Sequence, residues 1–507
     1  MQDLIESKSK IFSRNTVICL AVIAIAGFII RFFYFPEGIP ITLDGTVYFW
    51  YANDLGISGD FPNNVNFPNN GWPTFLSVFF YFFNSENFLE YMELQRFITI
   101  TISVVTIIPV FILCRKFCGN ALSIVGASLF VLQPRIIENS LNGLTDPLFI
   151  LLELMCLVLF LQNGFKFKYL SFAFLALASL VRYEGIILII PLSILFLRIN
   201  RIDKKIILRY FLAISIFLLF LLPMVFVRMD TMGFDGVTSH SIAAASTIGK
   251  DATMYIGITS FIKSIGLAIF PIFFVLLPLG FFRFFRNRNF DKYTILLFLI
   301  FMAIPIMYAS SRGISEPRYF LTLFPILSVI SVYTIKEITR KFNRIKSISA
   351  IIIVAILLSS VVYLDYNKID YAHELDAYHI GLEVSKRTSA INDYYPEVKY
   401  VHNKIDVVSN LGTFPVLSSE IEPKVKLIPT QGYTSLNEFI DYGKNEGLTH
   451  IIADENENRS NFINDVFRNE EKFPYIIKIY DSIEHGYDYH LKIFRINYEK
   501  FESMEFN

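Results

Sequence analysis

The stretch Lys168–Arg198 reads KYLSFAFLALASLVRYEGIILIIPLSILFLR, and it decides the fold of the chain. Two apolar runs, Tyr169–Val181 and Ile186–Leu197, flank the polar tetrapeptide RYEG. A helix as short as either run rises only about 20 Å, whereas the hydrocarbon core of a bilayer is about 30 Å thick. The pattern therefore predicts a hairpin of two short helices whose tip places Arg182 and Glu184 at membrane depth, facing protein or water rather than lipid.

The composition of the whole chain is that of a polytopic membrane protein. Of its 507 residues, 54% are hydrophobic and only 18% are charged, whereas soluble globular proteins carry about 25% charged residues. These figures exclude a disordered chain, and the net charge of zero gives no basic field that would attract nucleic acid. With the two runs of the hairpin, further apolar runs predict an α-helical protein of about eleven membrane helices. The further runs are Thr16–Tyr34, Leu94–Leu113, Ala121–Leu132, Pro147–Leu161, Tyr210–Val227, Ile265–Phe282, Tyr293–Tyr308, Tyr319–Ile335 and Ser349–Leu364.

The distribution of basic residues orients these spans. Every cluster of Lys and Arg between spans falls on one side of the bilayer when the N-terminus is cytoplasmic, as the positive-inside rule requires. The long loop from Pro36 to Glu90, on the other side, contains neither Lys nor Arg. We therefore expect a multi-pass protein of the cell membrane with a transmembrane domain over residues 1–364 and an extracytoplasmic domain over residues 365–507.

The polar last part of the chain has the pattern of a small α/β domain. Residues 374–390 are predicted to form a helix. Ser435 and Glu438 have the spacing of a capping box that opens a helix over Leu436–Asn445, and Gly447 is placed to end it. Short apolar or alternating runs predict strands at residues 399–402, 449–453, 475–480 and 489–496.

Aromatic residues are frequent in the first outer loop. Trp50 and Trp72 lie near the predicted outer membrane surface, where amphipathic rings are favoured, and we expect them to be interface anchors. The run Phe79–Phe83 is predicted to belong to a short helix that lies along this surface, because it is too short to cross the bilayer.

The polar and charged residues near the outer ends of the spans are the candidate functional residues. Ionisable side chains at membrane depth cost folding free energy, so their presence there indicates a function. Carboxylates can act there as bases or metal ligands, and arginines can hold a phosphate through paired hydrogen bonds. Such a set favours a substrate that carries a phosphate, and it leaves the involvement of a divalent metal open. The candidates are Asp44, Glu138, Asp146, Arg182, Glu184, Arg318 and Tyr319.

Four stretches, in their order and their placement relative to the spans, resemble the GT-C glycosyltransferases. The resemblance is to the family 39 type in particular, which includes the protein O-mannosyltransferases and the lipid A aminoarabinose transferases. It implies a polytopic enzyme of the cell envelope that moves a hexose or pentose from a polyprenyl-phosphate donor to a glycan, lipid or protein acceptor. The stretches are LDGTVYFWYA from Leu43, NGLTDPLFILLELM from Asn142, VRYEGIILIIPL from Val181 and SEPRYFLTLFPIL from Ser315.

The resemblance also implies roles for individual residues. Asp44 matches the acidic position of the first outer loop, a catalytic base or metal contact, although this chain has a glycine where many members have a second acid. Asp146 and Glu138 lie in the region of the second acidic motif. Arg182 and Arg318 match basic positions that would meet the lipid phosphate.

The oligosaccharyltransferase branch of GT-C carries a WWDYG motif. This chain has only Asp441-Tyr442-Gly443, near the end of a predicted helix and without the tryptophans. We interpret that match as chance and expect the chain to lie outside this branch.

Each candidate also has a structural interpretation. Asp44 and Asp146 stand where helix N-caps are favoured, and Asp146 precedes a proline. Arg182 and Glu184 could form an ion pair that only supports the hairpin, and Arg318 could be an interfacial anchor. The sequence leaves these alternatives open beside the functional ones.

The reaction expected from the resemblance is one displacement that inverts the anomeric centre, with Asp44 as the base. The alternative is a polytopic transporter or flippase of lipids or glycans. That alternative predicts ionisable residues in the middle of the spans and repeated halves, whereas the middle parts of these spans are nearly uncharged and the sequence shows no repeat.

Overall fold

The structure of the protein is a computed structural model. It describes residues 12–41, 44–59, 61–62, 69–85, 87–199, 203–240, 242, 254–287, 289–311, 316–342, 344–369, 371–392, 398–402, 405–409, 426–430, 432–455 and 459–505. Leu43 and Ser315, which begin two of the four quoted stretches, lie outside these residues.

The chain divides into two compact units. The first consists of Met1–Pro36, Phe61–Asn84 and Glu93–Tyr366, and the second of Glu37–Asp60, Ser85–Met92 and Asn367–Asn507. In chain order the α-helices are α1 Arg14–Phe33, α2 Asp44–Ser58, α3 Gly71–Phe82, α4 Phe88–Val105, α5 Ile107–Arg115, α6 Asn120–Val131, α7 Pro134–Ser140, α8 Asp146–Phe160, α9 Phe165–Val181, α10 Ile189–Arg198, α11 Lys204–Met232, α12 Met254–Ile269, α13 Ile272–Phe285, α14 Phe290–Ser311, α15 Phe324–Phe342, α16 Ile345–Tyr366, α17 Ala372–Arg387, α18 Leu436–Glu446, α19 Asn461–Arg468 and α20 Tyr498–Glu505.

The long apolar helices of the first unit make the chain a multi-pass membrane protein. Within the described residues, six helices are long and apolar enough to cross a bilayer, and up to eight if each of two bent pairs is one span. The predicted count of about eleven is not confirmed, because some predicted runs form helices that are too short, such as α8 with 15 residues and α10 with 10. The six helices are Arg14–Phe33, Phe88–Arg115, Lys204–Met232, Phe290–Ser311, Pro317–Phe342 and Ile345–Tyr366.

The predicted hairpin is present. Helix α9 ends at Val181, a 3₁₀ helix runs over Tyr183–Leu188, and α10 continues from Ile189. Arg182 joins them in an extended conformation, with φ −143° and ψ 121°. Its side chain is buried within the protein, as the sequence predicts for a charge at membrane depth.

A second break separates α6 from α7, whose axes differ by 50°. Because the hydrocarbon core offers no water, the carbonyl groups released at such a break need partners from the protein. Ser360 Oγ donates a hydrogen bond to the carbonyl oxygen of Leu132. The Gln133 side chain accepts from the backbone amides of Arg135 and Ile136 at 2.6 and 3.3 Å, which caps the start of α7.

Arg31, from helix α1, also donates hydrogen bonds to groups at this break. Its guanidinium is fully buried and donates to the carbonyl oxygen of Val131 at 3.0 Å and to that of Gly27 at 2.8 Å. The other two hydrogen bonds go to the hydroxyls of Ser140 and Ser103, at 3.0 and 2.9 Å. One side chain thus joins α1, α4, α6 and α7.

The second unit contains a five-stranded mixed sheet in the order β4-β1-β5-β7-β6. Strand β1 is parallel to both β4 and β5, whereas β7 is antiparallel to β5 and β6. Strands β2 and β3 form a separate antiparallel pair. The strands are β1 Ala390–Asn392, β2 Val398–His402, β3 Ile405–Ser409, β4 Lys426–Ile428, β5 His450–Asp454, β6 Ile476–Asp481 and β7 Leu491–Ile496.

The capping prediction in this unit is confirmed. The Ser435 hydroxyl accepts from the amide of Glu438 at 3.3 Å, and α18 ends at Gly447 in the left-handed region, with φ 84°. The Glu438 carboxylate accepts from the amide of Thr434 at 3.0 Å, one residue before the cap itself. Asp441, Tyr442 and Gly443, the partial match to WWDYG, lie inside this helix.

We predict that Arg31→Met lowers the stability of the protein in detergent by about 2–5 kcal/mol, because four buried acceptors lose a charged hydrogen-bond donor. The thermal unfolding midpoint measures the loss. Arg14→Met, on the exposed start of the same helix, is the control and should change it little. Equal midpoints for the two variants would contradict the role assigned to Arg31.

Candidate active site

A buried ion pair joins two of the candidate residues that are distant in the sequence. Arg182 Nη1 donates to Asp146 Oδ1, and the Asp146 side chain is only 1% exposed. Asp146 is the first residue of α8 and Arg182 directly follows α9, so two helix ends meet at this point. Side chains at the ends of packed helices are held more firmly than those on loops.

The second oxygen of Asp146 is also fixed. Asn139 Nδ2 donates to Asp146 Oδ2 at 3.2 Å from the end of α7. The broken helix α6–α7 therefore orients the carboxylate that α8 supplies. The sequence analysis missed Asn139, because a single asparagine in an apolar region gives no distinctive pattern.

Glu184 completes a row of charges along the hairpin tip. Arg182 Nη2 donates to Glu184 Oε1 at 3.0 Å. The other oxygen, Oε2, is buried and has no hydrogen-bond partner among the described residues. The guanidinium thus lies between two carboxylates, and Glu184 retains an unused acceptor.

Aromatic rings surround the guanidinium on its other sides. Arg182 Cζ lies 5.8 Å from the ring centroid of Phe149 and 5.5 Å from that of Tyr319. Arg318 Cζ is also 5.5 Å from the Tyr319 ring, so one tyrosine contacts both candidate arginines. Arg318 Nε forms an ion pair with Glu316 at 2.5 Å. Five predicted residues are therefore brought together: Asp146, Arg182, Glu184, Arg318 and Tyr319.

The segment before α3 packs against the tip of the hairpin. Asn69 Oδ1 accepts from the amide of Tyr183 at 3.2 Å, which satisfies backbone exposed by the break. A Cβ on Gly71 would lie 2.6 Å from the carbonyl carbon of Leu180, so only glycine allows this approach. Asn70 is buried, and neither polar atom of its side chain has a hydrogen-bond partner within the described chain. The sequence analysis missed this Asn-Asn-Gly segment.

The structure corrects the expectation for Trp72. Its side chain is fully buried, and Nε1 donates to the carbonyl oxygen of Gly143 at 3.2 Å. The same oxygen accepts from Gln95 Nε2 at 2.7 Å. A buried indole needs such a partner, and this contact fixes the turn that precedes α8 instead of anchoring the chain at the interface.

The remaining two candidates are Glu138 and Asp44. Glu138 pairs with Arg135 at 3.2 Å, and Arg135 lies 5.1 Å from the ring of Tyr363, which makes a separate polar group. Asp44 is the first residue of α2 and belongs to the second unit. Its role remains a prediction. Among the described residues, no group of three or more His, Cys, Asp or Glu is arranged to hold a metal ion.

Comparison with known proteins identifies the fold. No family model matches the chain, and no curated protein matches it in sequence. Among solved structures, ArnT from Cupriavidus metallidurans bound to undecaprenyl phosphate has a TM-score of 0.59 at 11% identity, over 94% of this chain and 97% of that one. The Archaeoglobus fulgidus oligosaccharyltransferase in complex with Zn and sulfate has a TM-score of 0.56 at 12% identity, over 86% and 68%. The arabinofuranosyltransferase AftD from mycobacteria has a TM-score of 0.50 at 13% identity, over 96% of this chain and 40% of that one.

These similar structures are GT-C glycosyltransferases, and this chain shares their multi-pass membrane fold. The resemblance to GT-C glycosyltransferases inferred from the sequence is therefore confirmed for the fold. The three solved structures are transferases rather than transporters.

We predict that Arg182→Gln destabilises the protein more than Asp146→Asn does. The first change leaves two buried carboxylates without their cation, at a cost of about 3–5 kcal/mol, whereas the second leaves Arg182 paired with Glu184. Thermal unfolding midpoints in detergent give the order. Arg283→Gln, which removes a half-exposed pair with Glu337, is the control and should cost less than about 1 kcal/mol.

The double variant Asp146→Asn/Arg182→Gln tests the coupling of the pair. Its loss of stability should be smaller than the sum of the two single losses, by about 1–3 kcal/mol. Strict additivity would mean that the two side chains do not stabilise each other.

Proposed function

We propose that the protein is a membrane glycosyltransferase, of the family 39 type, that moves a sugar from a polyprenyl-phosphate donor to an acceptor on the extracytoplasmic side. One observation carries the proposal: the buried Arg182, set between Asp146 and Glu184 and beside the ring of Tyr319, at a helix break inside the membrane unit. The GT-C fold supports the enzyme class. The neighbours solved with undecaprenyl phosphate and with a dolichol-phosphate support the kind of donor.

The two arginines beside Tyr319 are proposed to bind the phosphate of the donor. Both guanidinium groups are partly buried, where a charge-assisted hydrogen bond is stronger than in water. In this structure Glu184 pairs with Arg182, and Glu316 pairs with Arg318. Beside the two guanidinium groups, a bound phosphate would take the place of these carboxylates. Their negative charge marks an anion position.

The proposed reaction is a single displacement. An acceptor hydroxyl or amine attacks the anomeric carbon as the bond from that carbon to the phosphate oxygen breaks, which inverts the centre. The acceptor proton passes to the Asp44 carboxylate, and the polyprenyl phosphate leaves with its charge held by Arg182 and Arg318. Asp146 is proposed to hold Arg182 in position, and Glu138, in its separate polar group, to contact another part of the substrate.

The sugar donor, the lipid bilayer and a glycan, lipid or protein acceptor are the partners of this proposal. Its topology has a cytoplasmic N-terminus and an extracytoplasmic second unit. The donor arrives within the membrane, because nucleotide sugars are not available on that side.

We predict that Arg182→Gln and Asp44→Asn fail in different ways. Arg182→Gln should weaken binding of undecaprenyl phosphate, measured by thermal shift in detergent, by about tenfold or more because a charge-assisted pair is lost. Asp44→Asn should bind this lipid normally but transfer labelled sugar from a panel of polyprenyl-phosphate sugars 10²–10⁴-fold more slowly, by a rough estimate for a general base.

Glu37→Gln is the control for these variants, since Glu37 is an exposed carboxylate near the start of the second unit. Transfer by Asp44→Asn at the wild-type rate would remove the base assignment. Unchanged lipid binding by Arg182→Gln would remove the phosphate assignment.

A protease-cleavable tag after Asn507 tests the proposed topology. Protease added to intact cells with an accessible cytoplasmic membrane should remove it, whereas the same tag inserted between α13 and α14 should be protected. Cleavage of the C-terminal tag only after lysis would place the second unit in the cytoplasm and contradict the proposal.

A further inference from the structure

A groove lies between the beginning of α9 and the middle of α11, on the first unit. Its volume is about 480 Å³. The lining residues are Lys166, Phe167, Tyr169, Leu170, Ala173, Ile216, Leu219 and Phe220. Apart from one lysine and one tyrosine hydroxyl, the surface is entirely apolar.

The walls of this groove face the bilayer. Leu170, Leu219 and Phe220 are 46%, 68% and 43% exposed, and they lie on helices of the membrane unit. Of the 18-residue apolar stretch of α11, only 17% is buried inside the protein. An apolar groove on such a surface is filled by hydrocarbon rather than by water, so its natural occupant is an acyl chain of the bilayer.

Two cations lie at the end of the groove where both helices begin. Lys166 is in the first turn of α9, and its side chain is exposed. Arg209 is also exposed, in the second turn of α11, and its Cζ lies 4.1 Å from the ring centroid of Phe165. Lys166 Nζ lies 5.0 Å from the ring centroid of Phe167, so each cation lies against an aromatic ring of the first turn of α9.

The neighbouring charges have other partners. Lys168 Nζ donates to the carbonyl oxygens of Phe160 and Gln162 at 3.2 and 2.9 Å, and so caps the end of α8. The Asp203 carboxylate accepts from the amide of Ile206 at 2.8 Å, as the N-cap of α11. The described residues give Lys166 no ion pair, and no acidic side chain lines the groove.

We propose that this groove binds an anionic phospholipid of the bilayer, with one acyl chain between α9 and α11 and the phosphate between Lys166 and Arg209. The charge, the apolar lining and the exposure of the walls all fit this one ligand. Basic residues at the membrane surface attract anionic headgroups, which zwitterionic lipids lack.

This lipid site is separate from the proposed donor site and does not rest on the proposed function. Lys166 and Arg182 lie at opposite ends of α9, about 24 Å apart along the helix axis. The donor site lies at the hairpin tip, whereas the groove opens at the end that carries the basic loops. A phospholipid bound there would support the packing of α9 on α11 and therefore the hairpin.

The test uses the full-length protein in detergent with added phosphatidylglycerol or phosphatidylcholine. Native mass spectrometry counts the retained lipid, and thermal shift gives the apparent affinity. We expect phosphatidylglycerol to bind with higher affinity, and Lys166→Gln/Arg209→Gln to weaken that binding about tenfold or more. Leu219→Trp, which fills the groove without changing charge, should weaken binding of the lipid as well.

Lys341→Gln is the matched control, because Lys341 is an exposed lysine at the end of α15 outside the groove. It should leave phosphatidylglycerol binding unchanged. Equal binding of the two phospholipids, or wild-type binding by the double variant, would overturn the proposal.

Discussion

The structure depends on one constraint: a peptide group inside the hydrocarbon region must find its hydrogen-bond partner within the protein. The membrane unit has a bent helix pair, α6–α7, and a hairpin tip between α9 and α10, and side chains from distant segments bind the backbone at both. Arg31 and Ser360 serve the carbonyl groups between α6 and α7, and Asn69 serves the amide of Tyr183. Without these contacts the peptide groups at both places would lack these hydrogen bonds.

The breaks allow a polar site to exist where an unbroken bundle would be apolar. The first break directs Asn139 toward Asp146, and the second releases Arg182 from the helical path. The charged groups then meet in surroundings of low polarity, where each ionic contact is strong and an unpaired charge is costly. The arrangement is therefore fixed before any substrate binds, as the proposed displacement requires for the charge that develops on its leaving group.

The sequence predicts those features that leave a local pattern. The lengths of two apolar runs predict the hairpin, and the spacing of Ser435 and Glu438 predicts a helix start, because both depend on neighbouring residues. The partnership of Asn139 with Asp146 depends on how α7 packs against α8, so no spacing reveals it. The expectation that Trp72 lies at the membrane interface was wrong for a similar reason. Its buried hydrogen bond to the carbonyl oxygen of Gly143 depends on packing between distant segments, which leaves no pattern in the sequence. The number of spans was not confirmed, since short helices and bent pairs have the composition of full spans.

The membrane helices differ greatly in how much protein covers them. In Pro317–Phe342, 83% of an 18-residue apolar stretch is buried inside the protein. The corresponding shares in Arg14–Phe33 and Ile345–Tyr366 are 28% and 22%. A lipid-facing position accepts almost any apolar side chain, because fluid acyl chains adapt to its shape. Evolutionary drift in such helices is therefore weakly restrained. Sequence change is therefore tolerated more readily in Arg14–Phe33 and Ile345–Tyr366 than in the covered helix Pro317–Phe342.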